Sequence, residues 1–132
     1  MSLNKSKYIY QTNEQTILHM EAQTQENKQL NERFIGEMMN QLGGHRFLVM
    51  TGSKPLYKDT TSANPLISLK LARNTSKATH LKITYNRSLD LYEMKFIRIH
   101  GRNMTTVKEC AGLYSDMLQT TFTSVTGLLT QF

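Results

Sequence analysis

The sequence has little of several residue types that would define its class. It contains no tryptophan, two prolines and one cysteine, Cys110. A single cysteine excludes a disulfide within the chain and is typical of a reducing compartment. The longest apolar runs are about four residues, whereas a membrane span needs about 20. No apolar run follows the first lysines, so we expect neither a signal peptide nor a membrane partner.

Positive charge is in excess and is unevenly distributed along the chain. The formal net charge is +6 and the pI is about 9.6. Residues 1–45 carry four Lys/Arg and five Asp/Glu, whereas residues 46–132 carry twelve Lys/Arg and five Asp/Glu. Such a basic segment is typical of proteins with an anionic partner, most often nucleic acid. The alternative is charge that serves only solubility.

The length of 132 residues predicts one domain. Residues 1–29 are rich in Gln, Asn, Thr and Glu, and we interpret them as an N-terminal arm, partly extended or helical. The arm begins with a strand-like piece at 7–10, and its few apolar side chains have no partner within the segment. This predicts a homo-oligomer formed through the arm. The alternatives are docking on the chain's own sheet or disorder.

The rest, 30–132, is predicted to be the α+β domain. Leu30, Phe34, Met38 and Leu42 recur every four residues and predict an N-terminal helix that ends at Gly43-Gly44. Four strands are then predicted, at 47–50, 66–72, 80–86 and 91–99. The segment 53–65, with both prolines, is expected to be a loop. Period-two alternation is clearest in the middle strands.

A closing amphipathic helix is expected after the strands. Thr106 and Glu109 match a capping box, an apolar stripe follows, and Gly127 supplies the C-terminal cap. The short links between strands predict an antiparallel meander. The predicted fold is therefore a four-stranded antiparallel sheet with the C-terminal helix packed on one face.

The outward face of this sheet is the main candidate site. Lys70, Lys82 and Lys95 alternate away from the core on three strands, and further cations lie at strand ends and turns: Arg73, Lys77, Arg98 and Arg102. Such a face can follow a phosphate backbone, and we favour single-stranded DNA. Tyr85, Tyr92 and Phe96 are predicted to point inward, which leaves Tyr57 and His80 as exposed stacking groups. The alternative is a solvated face whose lysines prevent edge aggregation.

Two short segments are weaker candidates for anion binding. In residues 73–77, hydroxyl and amide side chains lie between two cations, so the backbone N–H groups there could hold a phosphate. Residues 100–103 precede the predicted closing helix, whose N-terminus would favour anions. The alternatives are an ordinary polar turn and an ordinary glycine turn.

Catalytic and metal sites are not expected. The four histidines are His19, His45, His80 and His100, and none is paired at metal-ligand spacing. Cys110 lies on the apolar stripe and is interpreted as a core residue. Asp90 and Glu93 are three residues apart, and we interpret them as reducing the local positive charge and not as metal ligands. We therefore expect a protein that is not an enzyme and holds no cofactor.

Three stretches of the chain resemble a family of small, functionally uncharacterised proteins encoded by bacteriophages and conjugative or mobile elements. They are residues 42–52 (LGGHRFLVMTG), residues 91–96 (LYEMKF) and the spaced residues Tyr114, Asp116, Leu118, Phe122, Thr126, Gly127 and Leu128. The resemblance covers about residues 38–130. This chain has Leu129 where the family often has an aromatic residue. The resemblance implies a viral or mobile-element setting in the cytoplasm of a bacterial host cell, or in a virion.

Together these observations favour a non-enzymatic nucleic-acid-binding protein of a phage or mobile element. One alternative is an interaction protein that inhibits a host defence factor or sequesters an anionic nucleotide. Another is a structural virion component, for which the arm would be the relevant element. All three need a compact fold and positive charge, so the sequence leaves the choice open.

Overall fold

A computed structural model describes residues 24–130. The predicted arm lies outside these residues up to position 23, together with the proposed oligomer contact; positions 24–29 are helical. The elements are α1 (24–42), α2 (Gly44–Thr51), β1 (Lys54–Asp59), β2 (Leu66–Lys70), β3 (His80–Asn86), β4 (Leu91–His100), β5 (Asn103–Leu113), a 3-10 turn (Ser115–Met117) and α3 (Leu118–Thr126).

The strands of residues 24–130 form one antiparallel sheet in the order β1-β2-β3-β4-β5. The α+β class and the antiparallel meander are confirmed, as are the three strands that correspond to β2, β3 and β4. The sheet has five strands rather than four, because two predicted elements changed type and one predicted loop became a strand.

The predicted strand at 47–50 is wrong, because these residues belong to α2. Gly43 adopts a φ of 119°, which ends α1 and lets a second helix begin at once. Phe47 and Thr51, four residues apart, are buried, and the Thr51 hydroxyl donates to the Phe47 carbonyl at 2.7 Å. Val49 is 66% exposed. A four-residue apolar run fits either a buried strand or a helix, so the sequence pattern did not separate them.

The predicted loop at 53–65 contains β1. Its pairing with β2 is interrupted by a register shift between Pro55 and Tyr57. Proline is tolerated there because β1 is an edge strand, and a bulge needs no regular ladder hydrogen bond. The prolines predict a loop, and the bulge interrupts the alternation of polar and apolar residues that would predict a strand.

The capping box at Thr106 and Glu109 is also wrong, because both residues lie in β5. The pairing of β5 with β4 shifts twice, opposite Phe96/Ile97 and opposite Tyr92/Met94. Each bulge breaks the period of two, so the apolar residues of β5 fell at helix-like spacing. The closing helix begins only at Leu118, and its predicted end at Gly127 is confirmed.

The core lies on one face of the sheet, which we call the core face. Its buried strand residues are Ile67, Leu69, Leu81, Ile83, Tyr85, Tyr92, Met94 and Phe96. All three helices contribute buried residues to this cluster: Ile35, Met38, Leu42, Phe47, Leu118 and Phe122. Phe47 packs on Phe122 with ring centroids 4.9 Å apart. Cys110 lies in β5, not on a helix as predicted, but it is half-buried and packs against the same cluster.

Candidate nucleic-acid interface

The face opposite the core, the outer face, carries side chains that alternate with the core residues along each strand. The register joins these side chains into rows across the sheet. The first row contains Tyr57, Ser68, Lys82, Lys95 and Glu109. The second row contains Lys54, Lys70, His80, Ile97 and Thr106. The three lysines predicted to face outward are therefore on one surface.

Two pairs of lysines face each other directly within these rows. Lys82 lies opposite Lys95 between β3 and β4, and Lys54 lies opposite Lys70 between β1 and β2. Directly opposed like charges destabilise a sheet, because the side chains are about 4.5–5.5 Å apart at their Cβ atoms. The outer face thus carries one pair of like charges between its inner strands and one at its β1 edge.

Among the described strand residues of the outer face, the acidic ones lie beside the four lysines and not between the two members of either lysine pair. Glu109 is opposite Lys95 at the β5 edge, and Asp59 and Glu93 lie in the next row, on β1 and β4. The sequence pattern does not identify Lys54 as an outer-face residue, because Pro55 makes β1 resemble a loop. The pattern also predicts Glu109 on a helix instead of in β5. The one sequence signal for Lys54 on the outer face is the alternation of side chains along β1, once the extra residue at the Pro55 bulge is allowed for.

Aromatic side chains divide between the faces as predicted. Tyr85, Tyr92 and Phe96 are at most 7% exposed on the core face, whereas Tyr57 is 57% exposed on the outer face. His80 is half-buried beside Lys70. Burial and, to a smaller degree, the Lys70 ammonium lower the pKa of His80 below its ordinary value. Tyr57 is therefore the accessible stacking group of the outer face.

The remaining predicted contacts lie elsewhere. Arg73, Lys77 and Arg98, with His100, line a pocket of about 560 Å³ between the loop 71–79 and the end of β4; we call it the end pocket. Arg102 lies in the turn between β4 and β5. The seven predicted residues thus form a group of three lysines on the outer face, a group of three cations around the end pocket, and one residue apart.

Several backbone amides in and next to the loop 73–77 are already hydrogen-bonded, which weakens the prediction that the backbone holds a phosphate. The Ser76 amide donates to Asn74 Oδ1, the Lys77 amide to the Asn74 carbonyl and the Ala78 amide to Ser76 Oγ, each at 3.1 Å. These N–H groups are already used within the loop. Its cationic side chains, not its amides, are available to an anion.

Residues 100–103 form a β turn rather than the approach to a helix. His100 pairs with Asn103 across Gly101, whose φ is 61°. The expected attraction of an anion by a helix N-terminus therefore has no basis here, because the following residues belong to β5.

The two acidic residues considered for metal binding have separate environments. Asp90 accepts a hydrogen bond from the Tyr85 hydroxyl, and this bond, together with burial and the Asp90 charge, raises the pKa of Tyr85 to about 12. Glu93 lies on the outer face opposite Thr84. Within residues 24–130, no group of three or more His, Cys, Asp or Glu side chains is arranged to hold a metal ion.

Comparison with protein-family models, curated proteins and solved structures gives no match to this chain. The resemblance to proteins of phages and mobile elements therefore stays a prediction. None of the helices in the described part of the chain is long and apolar enough to cross a membrane.

Proposed function

We propose that this chain is a non-enzymatic nucleic-acid-binding protein of a phage or mobile element, acting in the cytoplasm of a bacterial host cell. The outer face contacts phosphates through Lys54, Lys70, Lys82 and Lys95. One observation carries the proposal: two cross-strand pairs on this face consist of lysine opposite lysine.

A cross-strand pair contributes roughly 0.2–1 kcal/mol, favourable for opposite charges and unfavourable for like charges. A face that only had to be solvated would be more stable with alternating charges. Two like-charged pairs, one between the inner strands β3 and β4 and one at the β1 edge, are instead explained by an anionic partner, which neutralises them when it binds.

The arrangement favours a single strand over a duplex. Neighbouring strands of a sheet are about 4.8 Å apart, so Lys82 and Lys95 present their charges at closely spaced points of one path. Tyr57 lies in the same row and offers a ring on which a base can stack. A stacked base contributes about 1–3 kcal/mol and is available only in unpaired nucleic acid.

The test is fluorescence anisotropy with labelled single-stranded and double-stranded DNA across a salt series. The variant Lys70→Glu/Lys82→Glu/Lys95→Glu should lose most of its affinity and flatten the salt slope, by about 0.7 per lost contact on a single strand. Thermal unfolding followed by circular dichroism verifies that the variant is folded.

The matched control changes the same net charge away from the outer face. Lys28 and Arg46 are exposed on α1 and α2, and Lys58 lies in β1 opposite the core residue Ile67. The variant Lys28→Glu/Arg46→Glu/Lys58→Glu should keep more of the affinity. Equal losses in the two triple variants, or retained affinity in the first, would contradict a specific role of the outer face.

A further inference from the structure

The end pocket combines positive charge with a volume suited to a small ligand. Its volume of about 560 Å³ falls within the roughly 300–1,000 Å³ of ligand pockets. Arg73, Lys77, Arg98 and His100 are exposed around it. Of the described residues that line the pocket, none is acidic. Cations that converge without a counter-charge form a site for a multiply charged anion.

The backbone around the pocket is held in place by hydrogen bonds. The Asn74 amide group donates to the carbonyls of Ala72 and Ala78, both at 2.8 Å, and so fixes the shape of the loop. The Thr79 hydroxyl accepts the Ile99 amide at 2.8 Å, which joins the loop to β4. The two sides of the pocket are thus tied together, and a ligand would meet a site that is largely formed in advance.

Lys77 adopts a backbone conformation that its side chain disfavours. Its φ is 65°, in the left-handed region where glycine is preferred. Packing does not explain the lysine, because Lys77 is exposed. Its ammonium group, at the rim of a basic pocket, gives a reason for lysine at a position where glycine would be less strained.

We infer that the end pocket binds a nucleoside phosphate. The phosphates contact Arg73, Lys77 and Arg98, with arginine able to offer two parallel N–H groups to one phosphate. The nucleoside packs on the apolar part of the lining, which consists of Leu71, Ala72, Ala78 and Ile99. A free nucleotide and the terminal phosphate of a strand share this chemistry. The cations that line it differ from the lysines of the outer face, and the inference does not rest on the function proposed for that face.

Calorimetric titration with ATP and with AMP tests the inference on the full chain. ATP should bind more tightly than AMP because it carries more negative charge. The variants Lys77→Gly and Arg98→Gln should each weaken ATP binding at least about tenfold, the effect of removing one charged hydrogen bond. Lys77→Gly should melt no lower than the wild type, which separates loss of binding from loss of folding. Arg46→Gln, outside the pocket, should bind ATP as the wild type does.

A second arm distinguishes the two sources of the phosphate. Short oligothymidines with a 5′-phosphate and with a 5′-hydroxyl are compared on the wild type and on Lys77→Gly. A preference for the 5′-phosphate that disappears in Lys77→Gly supports a strand end as ligand. ATP binding without that preference supports a free nucleotide.

Two results would overturn the inference. The first is that neither ATP binding nor a 5′-phosphate preference is found at low salt, or that neither pocket variant weakens the binding that is found. The second is loss of ATP binding in the Lys70→Glu/Lys82→Glu/Lys95→Glu variant while the pocket variants retain it, since the nucleotide would then occupy the outer face. Conversely, that triple variant should keep its ATP affinity even if the proposed DNA binding is disproved.

Discussion

At the scale of single residues, the protonation of His80 on the outer face is expected to make the stability of the protein depend on pH. Its Nδ1 lies 2.7 Å from the Thr79 hydroxyl, within hydrogen-bond distance. Burial and the neighbouring Lys70 both disfavour the protonated ring, so its pKa in the folded protein is lower than the ordinary value of 6.5. The unfolded chain therefore takes up the proton first as the pH falls.

This order of protonation predicts a pH-dependent stability. The His80 contribution is constant above the unfolded pKa of 6.5, and stability falls as the pH drops from there to the folded pKa. His80→Gln should therefore lose less free energy of unfolding than the wild type between about pH 8 and about pH 5. Urea denaturation at the two pH values measures this difference. Equal losses in the two proteins would show that His80 has no such effect.

At the scale of elements, the break between α1 and α2 depends on Gly43. A Cβ at this position would lie 3.3 Å from the Phe47 Cβ and 3.4 Å from Gln119 Nε2, and its φ of 119° is strained for any other residue. The break turns α2 so that Phe47 enters the core, where it meets Phe122 of α3. One residue thus decides how two helices cover the sheet.

Gly43→Ala should lower the free energy of unfolding by about 1–3 kcal/mol, because the strained backbone and the close contact act together. Gly36 is the matched control. It lies inside α1, and a Cβ there would meet nothing within 4 Å. Gly36→Ala should raise stability by roughly 0.5–1 kcal/mol through helix propensity. Urea denaturation followed by circular dichroism measures both, and a neutral Gly43→Ala would contradict this account of the helix break.

The sequence predicted the elements whose periodicity is regular and failed where it is interrupted. β2 and β3 pair without a register shift, so their period of two was clear. The pairing of β1 with β2 contains one register shift and that of β5 with β4 contains two, so the sequence pattern predicts a loop and a helix in their place. The candidate site followed the same rule, since Lys70 and Lys82 were placed correctly whereas Lys54 and Glu109 were not. The end pocket depends on how the loop 71–79 folds against β4, which no periodicity encodes.

At the scale of the whole molecule, the described cations include two basic surfaces of different shape. The outer face is an open row of lysines, whereas the end pocket is a concave site with arginine at its rim. A row of point charges suits a polymer that crosses the sheet, and a concave site suits one compact anion.

If the opposed lysines serve binding, they should lower the free energy of unfolding. The substitution Lys82→Glu tests this directly. The substitution turns the Lys82–Lys95 pair into an attractive pair, so the free energy of unfolding should rise by about 0.2–1 kcal/mol at low salt. The gain should shrink at high salt, which screens exposed charges.

The same variant should bind single-stranded DNA more weakly, because it loses one cation and places a carboxylate in the phosphate path. Lys58→Glu, which makes the same charge change in β1 opposite Ile67, should have a smaller effect on both quantities. Urea denaturation at two salt concentrations and anisotropy on one protein preparation measure the two effects together. A variant that is less stable and still binds would mean that the opposed lysines are held by local packing, whereas higher stability with weaker binding would show that the sheet keeps them for an anionic partner.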